Sequence, residues 1–485
     1  MISAVKRTRS IPLVIFAALT LAGCPVNPAT GERQLILVSE AQEIELGRQG
    51  AQQVEASIGL YDDPDLQDYV NQIGQDLAAN SEKPNLPWSF KVVDDVVVNA
   101  FALPGGPIYV TRGILAHFNS EAELAGVLGH EIGHVTARHS AERISRAQAA
   151  QLGLGVGYIF LPEIAAYGDV FGAGLGLLFL KFSRDDERQA DDLGFRYMRR
   201  SGYDATEIAG VFEMLGRVSA AAGGSGLPAW LSTHPDPGER RERMAQRLAE
   251  AGVEPGGAIE RARYLQTVDG LVFGANPRNG FFRGNTFLHP DLQFQLEFPQ
   301  GWKTQNMARQ VAALSPSEDA MIQLTLADES SADQAADSFF YQSGVQVGRI
   351  SRTPINGLPA RAGYFNATAS DGTELSGLAV FIEYGKLVYA LLGYTLADRW
   401  STYDDVFRSS FGTFDRLTDS AALNAQPARL EIVRIDRPMT LAQFADRYPS
   451  TVDIETLELI NRVDADETIA AGELVKRVVG GTIPE

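Results

Sequence analysis

The chain has 485 residues, 45% hydrophobic and 21% charged. Those ordinary globular values exclude a collagen-like, a wholly disordered or a polytopic membrane chain, and the length implies two to four domains. A net charge of −19 opposes binding to phosphate backbones, so no nucleic-acid partner is expected. One cysteine excludes an internal disulfide framework and any Cys-rich zinc module.

Lys6, Arg7 and Arg9 precede the apolar run Ile11–Leu21, which is too short to span a bilayer comfortably. Leu21-Ala22-Gly23-Cys24 follows and resembles the lipobox of bacterial lipoproteins. The resemblance implies that residues 1–23 are a signal peptide and that Cys24 is lipidated, making a membrane anchor. Pro25, rather than Asp, follows the cysteine, which implies the outer membrane and a periplasmic protein.

Residues 24–40 are expected to form a tether. An amphipathic helix is then expected, in which Ile44, Leu46, Val54 and Ile58 alternate with charged residues, and a second helix is predicted over Leu66–Ala78. Phe90–Val93, Val96–Val98 and Ile108–Val110 read as strands, the last two joined by the turn Pro104-Gly105-Gly106-Pro107. Ser120 and Glu123 form a capping-box pair that opens a long helix. Residues 152–182 are apolar and Gly-rich, interrupted by Pro162, Glu163 and Asp169, and read as a buried helical pair or a flap over a cleft. A further helix opens at Ser183, residues 216–229 read as a loop, and Glu239–Glu250 as helix.

The long helix carries His130-Glu131-Ile132-Gly133-His134. Two histidines four apart project from one helix face and can share a Zn²⁺, with Glu131 beside a metal-bound water. A third protein ligand is still needed. In Ser183–Asp191, Glu187 and Asp191 also share a face. Glu187 can ligate the metal, and Asp191 can accept a hydrogen bond from a ligand imidazole.

These two motifs, with the preceding Asn99-Ala100-Phe101-Ala102-x-Pro104-Gly105-Gly106, resemble the zinc metallopeptidases that include the CAAX prenyl protease and the bacterial β-barrel assembly-enhancing protease, gluzincins of the HExxH type. The resemblance covers about residues 40–250 and sits nearer the soluble periplasmic branch than the polytopic one. It implies one Zn²⁺ per chain, held by His130, His134 and Glu187, with Glu131 as general base. It also implies that His234, in Ser232-Thr233-His234-Pro235, occludes the metal or aids catalysis, and that Arg240 helps stabilise an oxyanion. An extended substrate would add as a strand along Val96–Ala102, with Val98, Asn99, Ala100 and Phe101 as the binding residues. His139, five positions past His134, reads as a packed or exposed helix residue off the ligand face; His117 and His289 read as structural.

Short β-like runs with turns mark residues 270–415 as a separate α+β domain with no recognisable chemistry. A polar linker is expected over 416–428. Residues 429–480 weakly resemble a LysM-like βααβ module, which would add peptidoglycan as a partner. The whole is therefore an α+β chain: a mostly helical zincin-type domain over 41–265 with a small sheet, the 270–415 domain, and the small terminal module. The activity implied is zinc-dependent endoproteolysis of unfolded or misassembled outer-membrane proteins, as quality control. The competing reading is a latent or non-enzymatic periplasmic chaperone or assembly factor, bound to the cell wall.

Overall fold

A computed structural model describes residues 26–27, 29–151, 182–221, 230, 234, 237–250, 256–369 and 372–482. The expected signal peptide, Cys24 and residues 152–181 of the expected flap lie outside the described residues.

The first helices are α1 (Glu40–Ser57) and α2 (Pro64–Ala79), capped by Ser39 and Asp63. In α1 the buried residues are Glu43, Gly47, Gly50 and Val54, so of the four apolar residues named for this helix Val54 alone is buried. At Gly47 the reason is a close backbone approach. A Cβ on Gly47 would sit 1.8 Å from the Pro104 carbonyl oxygen, so only glycine lets α1 lie on the Pro104–Gly105 turn.

Strands β1 (Ser89–Val93), β2 (Ala100–Ala102) and β3 (Pro107–Thr111) form a sheet of order β1-β3-β2, with the Pro-Gly-Gly-Pro turn between β2 and β3. The strand expected at Val96–Val98 is a loop. The Asp95 side chain accepts from Val97 N at 3.0 Å, and Thr111 Oγ1 donates to Val97 O at 2.6 Å. These side-chain bonds replace a ladder and leave Val96 and Val97 48% and 38% exposed.

Short α3 (Arg112–His117) leads into α4 (Glu121–Thr136), the buried His-Glu-x-x-His helix. Ser120 caps it, accepting from Glu123 N, while Glu123 Oε2 accepts from Asn119 N at 2.7 Å. Helices α5 (His139–Gln151), α6 (Arg184–Arg200), α7 (Ile208–Ala221), α8 (Pro237–Glu250) and α9 (Arg261–Thr267) follow. Of the loop expected over 216–229, residues 216–221 continue the α7 helix, and residues 222–229 lie outside the described residues.

The 270–415 stretch starts with β4 (Val272–Phe273) and holds β5 (Phe281–Arg283), β6 (Thr286–His289), β7 (Phe294–Glu297), β8 (Lys303–Asn306), β9 (Gln310–Leu314), β10 (Ala320–Ala327), α10 (Ala332–Phe340), β11 (Val345–Ser351), β12 (Ala360–Thr368), β13 (Glu374–Tyr384), β14 (Leu387–Leu396) and α11 (Trp400–Phe411). Its main sheet is antiparallel, in the order β11-β12-β13-β14-β10-β9-β8. Alternate residues of β13 face opposite sides: Ala379 and Phe381 pack with α10, while Leu378, Val380 and Ile382 pack with α11.

Residues 416–428, expected as a linker, are ordered. Strand β15 (Asp415–Arg416) pairs with β7, and the short helix α12 (Ser420–Leu423) buries Ala422. The terminal piece runs β16 (Gln426–Arg434), β17 (Met439–Thr440), α13 (Leu441–Arg447), α14 (Ile454–Asn461), β18 (Thr468–Ile469) and β19 (Leu474–Thr482). It is not an appended bead. Strand β16 pairs with β4, and Leu430, Ile435, Leu457 and Val478 share one apolar core with Leu124, Leu128 and Ile132 of α4. Across this junction buried Lys476 Nζ donates to the carbonyls of Ala116, Phe118 and Ile460 at 2.9, 2.5 and 3.0 Å, and Arg462 pairs with Glu123.

The N-terminal stretch also departs from a free tether. Asn27 Nδ2 and Gln34 Nε2 donate to Ala137 O at 2.7 and 2.9 Å, at the C-terminal end of α4. Helix ends leave carbonyls unpaired, and these buried amides satisfy one of them.

Candidate metal centre

The site is built where α4 crosses α6. Small residues allow it: a Cβ on Gly129 would stand 3.2 Å from Gly194 Cα, and one on Gly194 would stand 2.9 Å from His130 N. Gly133 lies as close to Ala190, with a built Cβ 2.9 Å from the Ala190 carbonyl oxygen. This approach puts Glu187, in the first turn of α6, beside both histidines of α4. Glu187 Oε2 lies 3.5 Å from His130 Nε2, and Oε1 lies 3.5 Å from His134 Nε2. The two Nε2 atoms are 3.0 Å apart.

His234 enters the same cluster. Its Nδ1 is 2.9 Å from Glu187 Oε1 and its Nε2 is 3.6 Å from Glu131 Oε1. One ligand atom from each of His130, His134, Glu187 and His234 lies within 4.8 Å of the others, and all four residues are buried. Among the described residues, buried Glu131 Oε1 receives no hydrogen bond, while Glu187 Oε2 is ion-paired with Arg240. Three buried imidazoles and a buried carboxylate brought this close together are a donor set suited to a divalent ion.

Asp191 lies one turn along α6 from Glu187. Its Oδ1 lies 3.0 Å from His130 Nδ1, so that nitrogen carries the proton and Nε2 is left for a ligand. Arg240, from α8, approaches Asp191 in a two-pronged grip, Nε to Oδ2 at 3.0 Å and Nη2 to Oδ1 at 2.6 Å, and its Nη1 is 2.9 Å from Glu187 Oε2. The guanidinium stacks over Trp230 and Phe212. It thus faces the two carboxylates rather than an open cleft.

The electrostatics follow from this packing. Burial opposes ionising Asp191 and Glu187, but Arg240 and the neighbouring histidines outweigh it and hold both carboxyls below their ordinary range. Burial, reinforced by the adjacent imidazoles, pushes His134 well below the usual histidine value, and burial lowers His139 too. Burial also opposes charge on His234, yet Glu187 and Glu131 raise it above the ordinary value.

Sequence reasoning missed two residues. His139, placed off the ligand face, is buried with its Nδ1 2.9 Å from His134 Nδ1. The α4 helix ends at Thr136, and Arg138 takes a positive φ of 59°, so the chain turns and brings His139 back. Trp230 stacks on His234 with ring centroids 4.6 Å apart, and its carbonyl accepts from His234 N at 2.8 Å. A tryptophan four residues before His234 was the available signal.

Of the expected substrate residues, Ala100 and Phe101 lie on β2, the outer strand of its sheet, which packs beside α4. Val98 and Asn99 precede it in the loop, and buried Asn99 Oδ1 has no hydrogen-bond partner among the described residues. Ser232, Thr233 and Pro235 lie outside the described residues. His117, as expected, is structural: it is buried, with Nδ1 donating to Gly113 O at 2.7 Å. His289 Nδ1 accepts from Leu292 N at 3.2 Å inside the 270–415 stretch.

A buried helix that offers His-Glu-x-x-His to a carboxylate from a crossing helix defines the class of a metallopeptidase domain. Residues 64–248 match the model of peptidase family M48. The sequence is 39% identical over 179 residues to the mitochondrial metalloendopeptidase OMA1 of Arabidopsis thaliana, covering 36% of this chain and 34% of that protein. It is 33% identical over 236 residues to the β-barrel assembly-enhancing protease of Yersinia pestis (47% and 48% covered), and 31% over 213 residues to that of Escherichia coli strain K12 (42% and 43%). The chain thus spans about half or less of the length of these relatives.

Proposed function

We propose that the chain is a zinc-dependent endopeptidase of the periplasm that cleaves unfolded or misassembled outer-membrane polypeptides. The observation that carries this reading is the meeting of His130, His134 and Glu187 in one buried cluster, with Glu131 Oε1 buried beside it, 3.6 Å from His234 Nε2. The names of the bacterial relatives support the substrate class.

One Zn²⁺ per chain would be held by His130, His134 and Glu187, where it would supply Lewis acidity toward a carbonyl and lower the pKa of water. Glu131 takes a proton from the attacking water as general base and returns it to the leaving amine. Substrate adds in extended form to the outer edge of β2, its register set by Val98, Asn99, Ala100 and Phe101. Backbone pairing of this kind demands little sequence and suits unfolded chains. Arg240 keeps Glu187 and Asp191 ionised and oriented; this is the role its contacts support, in place of direct oxyanion binding.

His234 occupies the fourth corner of the cluster. Four protein ligands close a zinc site, whereas catalysis needs an open position. His234 therefore acts as a latch that withdraws when substrate arrives. A lipid on Cys24 holds the protein to the outer membrane, and the terminal module, with its strand–helix–helix–strand order, binds peptidoglycan.

Glu131→Gln is the test. Cleavage of unfolded casein should fall by about 10²–10⁴-fold while zinc content stays near one per chain. Normal cleavage by this variant removes Glu131 as the base.

A further inference from the structure

We propose that His139 is a positioning residue that fixes the tautomer of His134, and that it is itself set by a chain of hydrogen bonds reaching back to the N-terminal segment. The inference rests on reading His134 as a metal ligand. It adds a residue that lies outside the His-Glu-x-x-His motif and touches neither substrate nor metal.

The chain starts at Glu32, only a few residues beyond Cys24. Glu32 Oε2 lies 2.8 Å from Gln189 Nε2. A carboxylate only accepts, so Gln189 presents its amide NH₂ there and turns its carbonyl oxygen the other way. That oxygen is 3.1 Å from His139 Nε2. An amide oxygen only accepts as well, so His139 carries its proton on Nε2. Asp186 Oδ1, 3.9 Å from the same nitrogen, favours the same choice. A neutral imidazole has one ring proton, which leaves His139 Nδ1 a bare acceptor. Its partner at 2.9 Å is His134 Nδ1, which must therefore be the donor. The lone pair of His134 is left on Nε2, the atom that faces His130 and Glu187.

Each step has one solution once Glu32 is ionised. The two metal-facing histidines are then oriented by different means: His130 by the carboxylate of Asp191, and His134 by a neutral histidine. Phe182 stacks on His134, ring centroids 4.0 Å apart, and covers the His134–His139 contact. Outer partners of ligand histidines typically contribute 10–100-fold to metal affinity.

The experiment titrates zinc alone into the metal-free full chain against a chromogenic chelator. His139→Phe keeps a ring but removes the acceptor, and zinc affinity should drop by about 10–100-fold. His139→Asn places an amide oxygen where Nδ1 stood and should restore most of the affinity. Gln189→Leu leaves the core intact; ¹⁵N imidazole spectra of the metal-free chain should then show His139 losing its pure Nε2–H tautomer, with a smaller loss of zinc affinity. This spectrum decides the matter if His139→Phe fails to fold. Unchanged zinc affinity in folded His139→Phe, or an unchanged His139 tautomer in Gln189→Leu, overturns the proposal while leaving the metal centre standing. A wild-type chain that binds no zinc overturns the metal reading itself, and this inference with it.

Discussion

His130 Nδ1 and Asp191 Oδ1 meet at 3.0 Å, and the same oxygen receives Arg240 Nη2 at 2.6 Å. One buried carboxylate therefore orients the His130 imidazole and neutralises a buried guanidinium at once. Asp191→Ala breaks both contacts. Leaving a buried charge unpaired costs about 3–5 kcal/mol, so chemical denaturation of the metal-free chain should show a loss of that size. Zinc affinity should drop with it, because His130 loses its orienting partner. A variant as stable as wild type would mean that Arg240 finds another counter-charge.

The approach of α6 to α4 can be tested without touching a charged group. In Gly194→Ala the new methyl would stand 2.9 Å from His130 N, closer than real Cβ atoms come to backbone. The helices must separate, and Glu187 moves away from the histidines. Overpacking of this kind typically costs about 1–3 kcal/mol. Zinc affinity should fall together with the thermal midpoint, whereas Gly216→Ala, on the open side of α7 with nothing near a built Cβ, should leave both unchanged.

What the sequence made legible follows from how local each signal was. The spacing of His130 and His134 placed both on one helix face, and Glu187 and Asp191 four apart did the same on α6; the structure brings these residues together. His139 escaped because its position depends on a helix end and a left-handed residue at Arg138, which ligand periodicity does not encode. The burial of Gly47 in α1 left no trace in hydropathy, because it comes from a close backbone approach and hydropathy counts glycine for little. The terminal module looked separable because its attachment is made by long-range contacts such as Lys476 with Phe118, with no trace in either segment alone.

His234 fills the fourth corner of the cluster, and its own restraints are the stack on Trp230 and the contact with Glu187. If it is a latch, His234→Ala should bind zinc more weakly, having lost one ligand, yet cleave unfolded casein faster under saturating zinc. A fall in activity at full zinc occupancy would instead make His234 a catalytic participant. Comparing initial rates at matched zinc occupancy separates the two.

Lys476 joins the terminal module to the segment that leads into α4. Lys476→Met removes the ammonium and strands the Ala116, Phe118 and Ile460 carbonyls. A buried acceptor left unsatisfied costs about 1–3 kcal/mol. Because these carbonyls span two regions, the loss should appear in one cooperative transition that includes the metallopeptidase domain. Two separated transitions, with only the module weakened, would show that the shared core does not couple them.

The last prediction concerns acid. His117 is buried, and burial lowers its pKa from 6.5 to about 4; its Nδ1–H donates to Gly113 O. The folded chain therefore keeps His117 neutral in a range where the unfolded chain already protonates it. Above pH 6.5 neither state is charged and the full stability is present. As pH falls from 6.5 to about 4 the unfolded state takes up a proton that the native state refuses, and stability drops by up to about 3 kcal/mol. Below about 4 both states are charged and the decline from this group ends. His117→Gln retains a donor for Gly113 O but does not titrate, so its urea midpoint should fall less between pH 7 and pH 4 than that of wild type. Parallel curves for the two proteins would assign the acid sensitivity to other buried groups.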